Sequence, residues 1–424
     1  MQAEAIPPSP FAYAPWRAFF VSRIASTLAF MMLVVVIAWQ VYDIARATRS
    51  VSESAFVLGL VGLVQFIPVF TLAPVVGNVV DRHDRRHVAR WAIALEIMCA
   101  LALAGLATGG ITTLWPWFLV AFLIGVGRAF AAPAGAALAP NLVPPAVLPT
   151  AIAWSSIAWQ SGAVLGPVAG GLLYDLDAPL PYAAAAGLLA VSLLALFRIP
   201  PVPRPERVSR GFTAVKEGLS YVRGNPIVFG AISLDLAAVV LGGATAMLPI
   251  YARDILDAGP QALGWLRAAP AIGAAMVALA LARRPLQRRV GRAMFWGVAI
   301  FSVMTVVFAF STVIWLSMLA LILMGGADMV SVYVRASLIQ LHTPDAMRGR
   351  VSAVSMMFIS ASNELGEFRA GMVAAVIGPV AATAIGGALA LVVTLLWARL
   401  FPALRMADRF EVPEVLQEQR AKPA

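Results

Sequence analysis

Long apolar runs are the feature that most constrains what this chain can fold into. One of them, residues 54–80, contains no ionisable group. An α-helix needs about 20 apolar residues to cross a hydrocarbon core about 30 Å thick. Because 61% of the residues are hydrophobic and only 12% are charged, the runs are predicted to be membrane-spanning helices.

Charged loops and Pro or Gly turns separate twelve predicted spans, numbered 1 to 12 in chain order. They lie at residues 18–42, 54–80, 88–108, 114–137, 149–174, 181–199, 227–251, 261–282, 292–311, 313–339, 351–377 and 380–401. The predicted fold class is an all-α membrane protein with twelve transmembrane helices in two pseudo-symmetric six-helix halves.

The domain boundaries follow from these spans. We expect a cytoplasmic tail at 1–17, a six-helix half at 18–199, a linker at 200–226, a second six-helix half at 227–401 and a cytoplasmic tail at 402–424. Within the linker, Phe212, Val215, Leu219 and Val222 recur at helical spacing. This pattern predicts a short amphipathic helix at the membrane surface.

Basic residues indicate the orientation. Most of the 31 Lys and Arg residues lie in loops on one side of the predicted spans, so the positive-inside rule places that side and both termini in the cytoplasm. We expect a multi-pass protein of the cell inner membrane. The net charge of +10 is interpreted as favouring contact with anionic lipid headgroups rather than nucleic acid, because the basic residues occupy short loops.

Other classes of protein are disfavoured by missing motifs. The single cysteine, Cys99, excludes a disulfide framework and a cysteine metal cluster. The three histidines lack metal-ligand spacing, and no nucleophile with a base or nucleotide-binding loop is visible. We therefore expect no enzyme activity, no metal, no cofactor and no ATP-driven transport.

A repeat at an offset of 200 residues links the two halves. When residues 123–171 are compared with 323–371, Gly125 matches Gly325, Gly166 matches Gly366 and Gly171 matches Gly371. Spans 4 and 5 would then recur as spans 10 and 11. This is the parallel repeat expected of a two-halved transporter.

The loop "GNVVDRHDRR", residues 77–86, resembles the loop between helices 2 and 3 of the major facilitator superfamily. The pattern's positions are Gly77, Asp81, Arg82, Arg85 and Arg86, and Asp84 stands where the pattern has Gly. We expect Gly77 to permit close helix approach, Asp81 to face a helix N-terminus or an arginine, and the arginines to lie at the inner membrane surface. A left-handed backbone at Asp84 would preserve the tight turn. The alternative is a simple positive-inside stop signal.

Span 5 contains "GAVLGPVAGG", which resembles the glycine-proline motif of the superfamily's drug/proton antiporters. Its motif positions are Gly162, Gly166, Pro167, Gly170 and Gly171. Small residues permit tight helix packing and Pro167 is expected to bend the helix. Packing alone would also explain them. The segments "WQVYD", "SNELGEFRAG" and "TPDAMRGRVSAV" are similar to the bacterial branch of enterobactin exporters and multidrug efflux proteins.

Charged residues within spans are candidates for function, because burying charge in lipid is costly. Arg23 and Arg128 lie in spans 1 and 4, and Asp235 and Asp328 lie in spans 7 and 10. The resemblance implies that these spans line a central cavity. One hypothesis is a charged layer that helps close the cytoplasmic side and whose carboxylates take up protons. Structural ion pairs, including Arg128 with Asp81, are equally consistent with the pattern.

Three more acidic residues lie within spans. Glu364 and Glu367 share a face of span 11 at i, i+3. They are candidates for an outer route for protons or a cationic substrate, and a purely structural role is the favoured alternative. Glu96 in span 3 is expected to be paired structurally.

Together these features predict a secondary transporter that exports small apolar or amphipathic compounds by proton antiport with alternating access. Its predicted partners are a small-molecule substrate, protons and membrane lipids, and we expect a monomer. A dedicated exporter of a siderophore or other metabolite is the alternative, and a nutrient uptake permease is less favoured.

Overall fold

A computed structural model describes residues 9–201 and 212–410, which form helices and turns without any strand. Twelve long helical segments correspond to the twelve predicted spans, which confirms the predicted fold class. In chain order they are Ala14–Arg46, Val51–Thr71 with Ala73–Arg82, Arg85–Thr108, Leu114–Leu138, Leu148–Leu176, Leu180–Phe197, Pro226–Gly242 with its continuation at Leu248–Ile250, Pro260–Arg283, Val290–Ala309, Ile314–Leu341, Asp345–Ile377 and Pro379–Leu400.

Ten of the described helices are long and apolar enough to cross a membrane by length and composition. The two that fall short are spans 5 and 11, which carry the glycine-rich segments matched in the repeat. Glycine, serine and charged residues lower their mean hydropathy, although both helices are long enough to span.

The described chain divides into two compact units. Unit 1 contains residues 9–50, 60–201 and 252–268, and unit 2 contains residues 51–59, 212–251 and 269–410. Each unit therefore holds most of one predicted half together with a short segment from the other half.

Within unit 1, span 5 packs its glycines against span 1. A Cβ atom added at Gly166 would lie 2.6 Å from the Met31 Cβ and 2.9 Å from the Leu28 carbonyl oxygen. At Gly170, an added Cβ would lie 3.0 Å from the Met32 Cγ. Because only glycine allows this approach, the predicted packing role of the span 5 motif agrees with the geometry.

Unit 2 repeats this packing at the matched positions. An added Cβ at Gly366 of span 11 would lie 2.9 Å from the Val239 carbonyl oxygen of span 7. Gly125 of span 4 contacts Pro68 of span 2, and its repeat partner in span 10 contacts Pro270 of span 8. The repeat seen in the sequence is thus a repeat of helix contacts.

Two further glycine contacts involve the short segment that each unit takes from the other half. A Cβ at Gly171 of span 5 would lie 3.2 Å from the Gly264 Cα of span 8 within unit 1. A Cβ at Gly371 of span 11 would lie 2.7 Å from the Gly59 Cα of span 2 within unit 2. Gly264 lies in residues 252–268, which belong to unit 1, and Gly59 lies in residues 51–59, which belong to unit 2.

Two predictions about backbone geometry are wrong. Gly77 was expected to permit close helix approach, but an added Cβ there would meet nothing within 4 Å. Span 7 was predicted to be one helix, but it breaks at Gly243, whose φ of 52° is left-handed. Because glycine has no Cβ, it takes this conformation without strain.

The predicted linker helix is present at Phe212–Gly224. The side chains of Phe212 and Val215 lie outside the described residues, as do the chain termini at 1–8 and 411–424. Val222 is only 2% exposed and packs with Val351 of span 11. The described part of its apolar face therefore packs against protein. The sequence predicted that this face would lie on the membrane surface, and the structure corrects that prediction.

Polar contacts also hold the linker helix to unit 2. Glu217 forms an ion pair with Arg350 at 2.5 Å, and the Tyr221 hydroxyl donates to the His342 carbonyl. An added Cβ at Gly218 would lie 2.8 Å from the Arg350 carbonyl oxygen. The linker helix is thus docked on the start of span 11.

We expect Gly166→Leu to lower the stability of the protein, because the new side chain would overlap the backbone of span 1. Overpacking of this kind costs about 1–3 kcal/mol or more. Thermal unfolding of the purified protein would show a lower Tm. The matched control is Gly187→Leu, since Gly187 is exposed on span 6 and an added Cβ there meets nothing within 4 Å. Equal Tm values for the two variants would contradict the packing argument.

Candidate functional site

The loop between spans 2 and 3 is held by the side chain of Asp84. Its backbone is extended (φ −64°, ψ 117°), and its carboxylate accepts a hydrogen bond from the Arg86 amide at 2.9 Å. Asp84 therefore caps the N-terminus of span 3 and does not adopt the left-handed backbone that would have preserved the tight turn. The Arg86 guanidinium binds the same carboxylate at 2.6 Å and lowers the pKa of Asp84.

The arginines of this loop also bind the ends of other helices. Arg86 is buried and donates to the Ile199 carbonyl, just after span 6, at 3.0 Å. Arg85 donates to the Ala137 carbonyl in the last turn of span 4 at 2.8 Å. They were expected simply to face the membrane surface, but their charges complement helix C-termini. The Asp81 backbone lies in the helix before the loop, and its side chain lies outside the described residues.

A cavity of about 630 Å³ opens beside the loop. Arg82, His83 and His87 supply basic groups to its wall, while Trp91 and Phe130 supply apolar surface. Arg82 is exposed, as expected for a residue at the membrane surface. Asp84, whose carboxylate is paired with Arg86, also lines the cavity. The wall therefore combines basic groups with an apolar lining.

In unit 1, the two predicted arginines lie against aromatic rings. The Arg23 guanidinium carbon is 6.0 Å from the Trp159 ring centre, and that of Arg128 is 3.5 Å from the Phe30 ring centre. Arg128 also interacts electrostatically with Glu96, which is 3% exposed in span 3. This contact fits the structural role that was expected for Glu96.

In unit 2, the two predicted aspartates differ in their surroundings. Asp235 forms an ion pair with Arg335, and both side chains are less than 10% exposed. Asp328 is partly buried in span 10 and has no ion-pair or hydrogen-bond partner in the described part of the chain. Asp235 is thus neutralised by its own unit, whereas Asp328 is not.

One charged residue of span 11 lies at the break in span 7. Arg369 donates to the Leu241 carbonyl at 2.6 Å, two residues before the left-handed Gly243. It therefore satisfies a carbonyl that the interrupted helix leaves open. Glu364 and Glu367 are partly buried, and both interact with neighbouring groups.

Five residues within unit 1 form a further group, which we call the distal ion cluster because it lies at the end of span 1 far from the N-terminus. It consists of Tyr42, Asp43, Arg46, Arg253 and Asp254. Asp254 accepts hydrogen bonds from the Tyr42 hydroxyl at 2.5 Å and from Arg46 at 2.8 Å. Arg253 forms an ion pair with Asp43. Span 1 is thereby tied to the segment that follows span 7.

The chain matches a model of the Major Facilitator Superfamily over residues 18–367. Together with the twelve helices and the parallel repeat, this match decides the family. The chain belongs to the Major Facilitator Superfamily. It is accordingly a multi-pass membrane transporter, and the superfamily is one of transporters rather than of enzymes.

Curated relatives of similar length include exporters. The enterobactin exporter EntS of Escherichia coli O81 (strain ED1a) is 25% identical over 386 residues, which cover 88% of each protein. EntS of Shigella boydii serotype 18 (strain CDC 3083-94 / BS512) matches with the same identity and coverage.

Solved structures of the superfamily share the fold. The human organic anion transporter MFSD10 (TETRAN) is 17% identical with a TM-score of 0.65, covering 91% of this chain and 99% of that one. A D-xylose–proton symporter is 14% identical with a TM-score of 0.70, covering 92% and 99%. At these identities the likeness concerns the fold alone.

Several residues of this superfamily member were not singled out from the sequence. One is Arg335, the partner of the candidate Asp235. Arg335 lies about 9 Å and Asp235 about 14 Å from the end of its helix nearest the linker, so similar depth was the available signal. For the distal ion cluster, the signal was the complementary pairs Asp43–Arg46 and Arg253–Asp254 in segments that otherwise hold few charges.

We expect Asp235→Asn to destabilise the transporter, because Arg335 would keep a buried charge without a counter-charge. Removing one member of a buried pair costs about 3–5 kcal/mol. The double variant Asp235→Asn with Arg335→Gln should recover part of the loss, which thermal unfolding would measure. A double variant less stable than the single one would contradict the pairing.

We expect Asp254→Asn to loosen the distal ion cluster, since the amide holds Arg46 and Tyr42 less strongly than the carboxylate does. Hydrogen–deuterium exchange of residues 251–258 should rise by about tenfold, the equivalent of one weakened charge-assisted hydrogen bond. Asp177→Asn, in the exposed loop before span 6, is the control. Unchanged exchange in Asp254→Asn would show that the cluster does not hold this segment.

Proposed function

We propose that the protein is a secondary active transporter that exports small amphipathic compounds across the cytoplasmic membrane by proton antiport. The observation that carries this proposal is Asp328. Its carboxylate lies within span 10 and has no ion-pair or hydrogen-bond partner in the described ranges. Ionisable groups are rare inside spans unless they serve transport, and a carboxylate that no arginine neutralises is available to bind and release a proton.

Export as the direction of transport is supported by two findings. The relatives named enterobactin exporter are similar over 88% of this chain. The glycine-rich face of span 5, which resembles that of drug/proton antiporters, packs against span 1 at the expected glycines. The same relatives support the second candidate function, which is dedicated export of a siderophore or similar metabolite.

Alternating access requires ends that open and close in turn. We propose that the distal ion cluster closes the outer end of the pathway, because its ion pairs join span 1 to a segment that follows span 7. The loop motif of Asp81, Arg82, Arg85 and Arg86 would act at the inner end, where its arginines bind the ends of spans 4 and 6.

The distribution of basic residues supports a proposal for how the protein is oriented in the membrane. We place both termini and the basic loops in the cytoplasm and the protein in the inner membrane as a monomer. The basic and apolar wall of the cavity beside Arg82 supports contact with anionic lipid headgroups.

If Asp328 carries the coupling proton, Asp328→Asn should abolish efflux driven by a pH gradient in proteoliposomes while leaving substrate exchange intact. The neutral amide mimics the protonated carboxyl and removes only the proton step. A panel of amphipathic drugs and siderophores would supply the substrates, and a loss of at least about a hundredfold is expected.

The control for this experiment is Asp177→Asn, which changes the same charge in an exposed loop. Gradient-driven efflux by Asp328→Asn at the control's rate, with an unchanged dependence on pH, would rule out Asp328 as the proton carrier. Asp235 and Glu364 would then be the residues to vary next.

A further inference from the structure

Arg23 is the basis of an inference about what unit 1 binds. The residue lies about 14 Å into span 1, counted from its first residue. Its Nε is completely buried and has no hydrogen-bond partner, and its side chain has no ion pair in the described ranges. Arg23 is partly exposed. A guanidinium inside a span without a counter-charge is costly, and an anionic ligand that reaches its exposed part would supply the missing negative charge.

Among the described residues of spans 1, 4 and 5, no carboxylate lies near Arg23. The first acidic residue along span 1 is Asp43, about 30 Å away along the helix axis. On span 5, Asp175 lies about 24 Å along the axis from Trp159, and Leu114–Leu138 of span 4 holds no acidic residue. The described neighbours of Arg23 therefore leave its positive charge uncompensated.

Aromatic rings border Arg23 on the side of span 5. Trp159 lies 6.0 Å from its guanidinium carbon and is 38% exposed. One turn along span 1, Phe20 packs edge-to-face with Trp154 at 6.0 Å, and Trp154 is 37% exposed. Exposed indole faces next to an unpaired arginine are suited to stacking on a planar ring.

Span 4 places a glycine beside the guanidinium. A Cβ added at Gly135 would lie 3.9 Å from Arg23 Nη1, and glycine places no side chain there. Arg23 is thus bordered by a tryptophan on span 5 and by a residue without a side chain on span 4. The site combines a cation with an exposed aromatic surface.

We propose that Arg23 and Trp159, beside Gly135, bind an aromatic anion, that is, a planar ring carrying a carboxylate, sulfonate or phenolate. The inference rests on the proposed function for its role, since it names the substrate class of the exporter. Arginine presents a planar fork of donors to such an anion. A cationic substrate would meet unbalanced positive charge at this site and be rejected.

The test measures equilibrium binding to the full chain in nanodiscs, with empty nanodiscs correcting for partition into lipid. The probes are 1-naphthoate, its neutral isostere 1-naphthamide and the cation 1-naphthylmethylammonium. We expect naphthoate to bind at least about tenfold more tightly than naphthamide, as one charge-assisted hydrogen bond would provide. The cation should bind most weakly.

Three variants locate the preference. Arg23→Gln should bind naphthoate and naphthamide equally, whereas Arg23→Lys should retain part of the preference for the anion. Trp159→Leu should weaken both probes by a similar factor, because it removes the stacking surface and keeps the charge. Arg284→Gln, an exposed arginine after span 8, is the matched control and should bind as the wild type does.

Two outcomes would overturn the inference. One is wild-type protein that shows no saturable naphthoate binding or binds naphthamide as tightly. The other is Arg23→Gln that keeps the preference for naphthoate, which would place the anion elsewhere. Folding is checked by thermal unfolding, and Trp159→Leu keeps the test decisive if Arg23→Gln does not fold. Because binding needs no gradient, failure of proton-driven export would refute the proposed function and leave the site standing.

Discussion

Close approach of helix backbones at glycines is the contact on which this structure depends. In a membrane, helices gain little from hydrophobic association, so packing must come from van der Waals contact between surfaces that fit closely. Gly166 on span 5 and Gly366 on span 11 provide this contact with the first helix of their own half. The two units are built by the same contacts used twice.

Other glycines of spans 5 and 11 contact the segments that each unit takes from the other half. Gly171 meets Gly264 in unit 1, and Gly371 meets Gly59 in unit 2. The segment after span 7 that the first contact holds also carries Arg253 and Asp254, which join the distal ion cluster. Packing and electrostatics therefore act on one segment, and in the proposed transport cycle both must be broken together for the outer end to open.

Much of this was predictable because it is local. The twelve spans follow from runs of apolar residues, and the glycine contacts of span 5 follow from spacing at helical repeats. Local reasoning was wrong at Gly77, which meets open space, and at Asp84, which caps a helix with its side chain. A superfamily pattern specifies residue types, but the contacts of each residue depend on neighbours that the pattern does not contain.

The sequence by itself determined the helices, their number, the parallel repeat and the residues that carry charge into the membrane, because hydrophobic length and periodicity are properties of short segments. Only the tertiary structure decided which charges are neutralised. Asp235 meets Arg335 from another helix, whereas Arg23 and Asp328 lack such a partner in the described ranges. The physical reason is that an ion pair between residues far apart in the chain forms only where helix packing brings their side chains to the same depth.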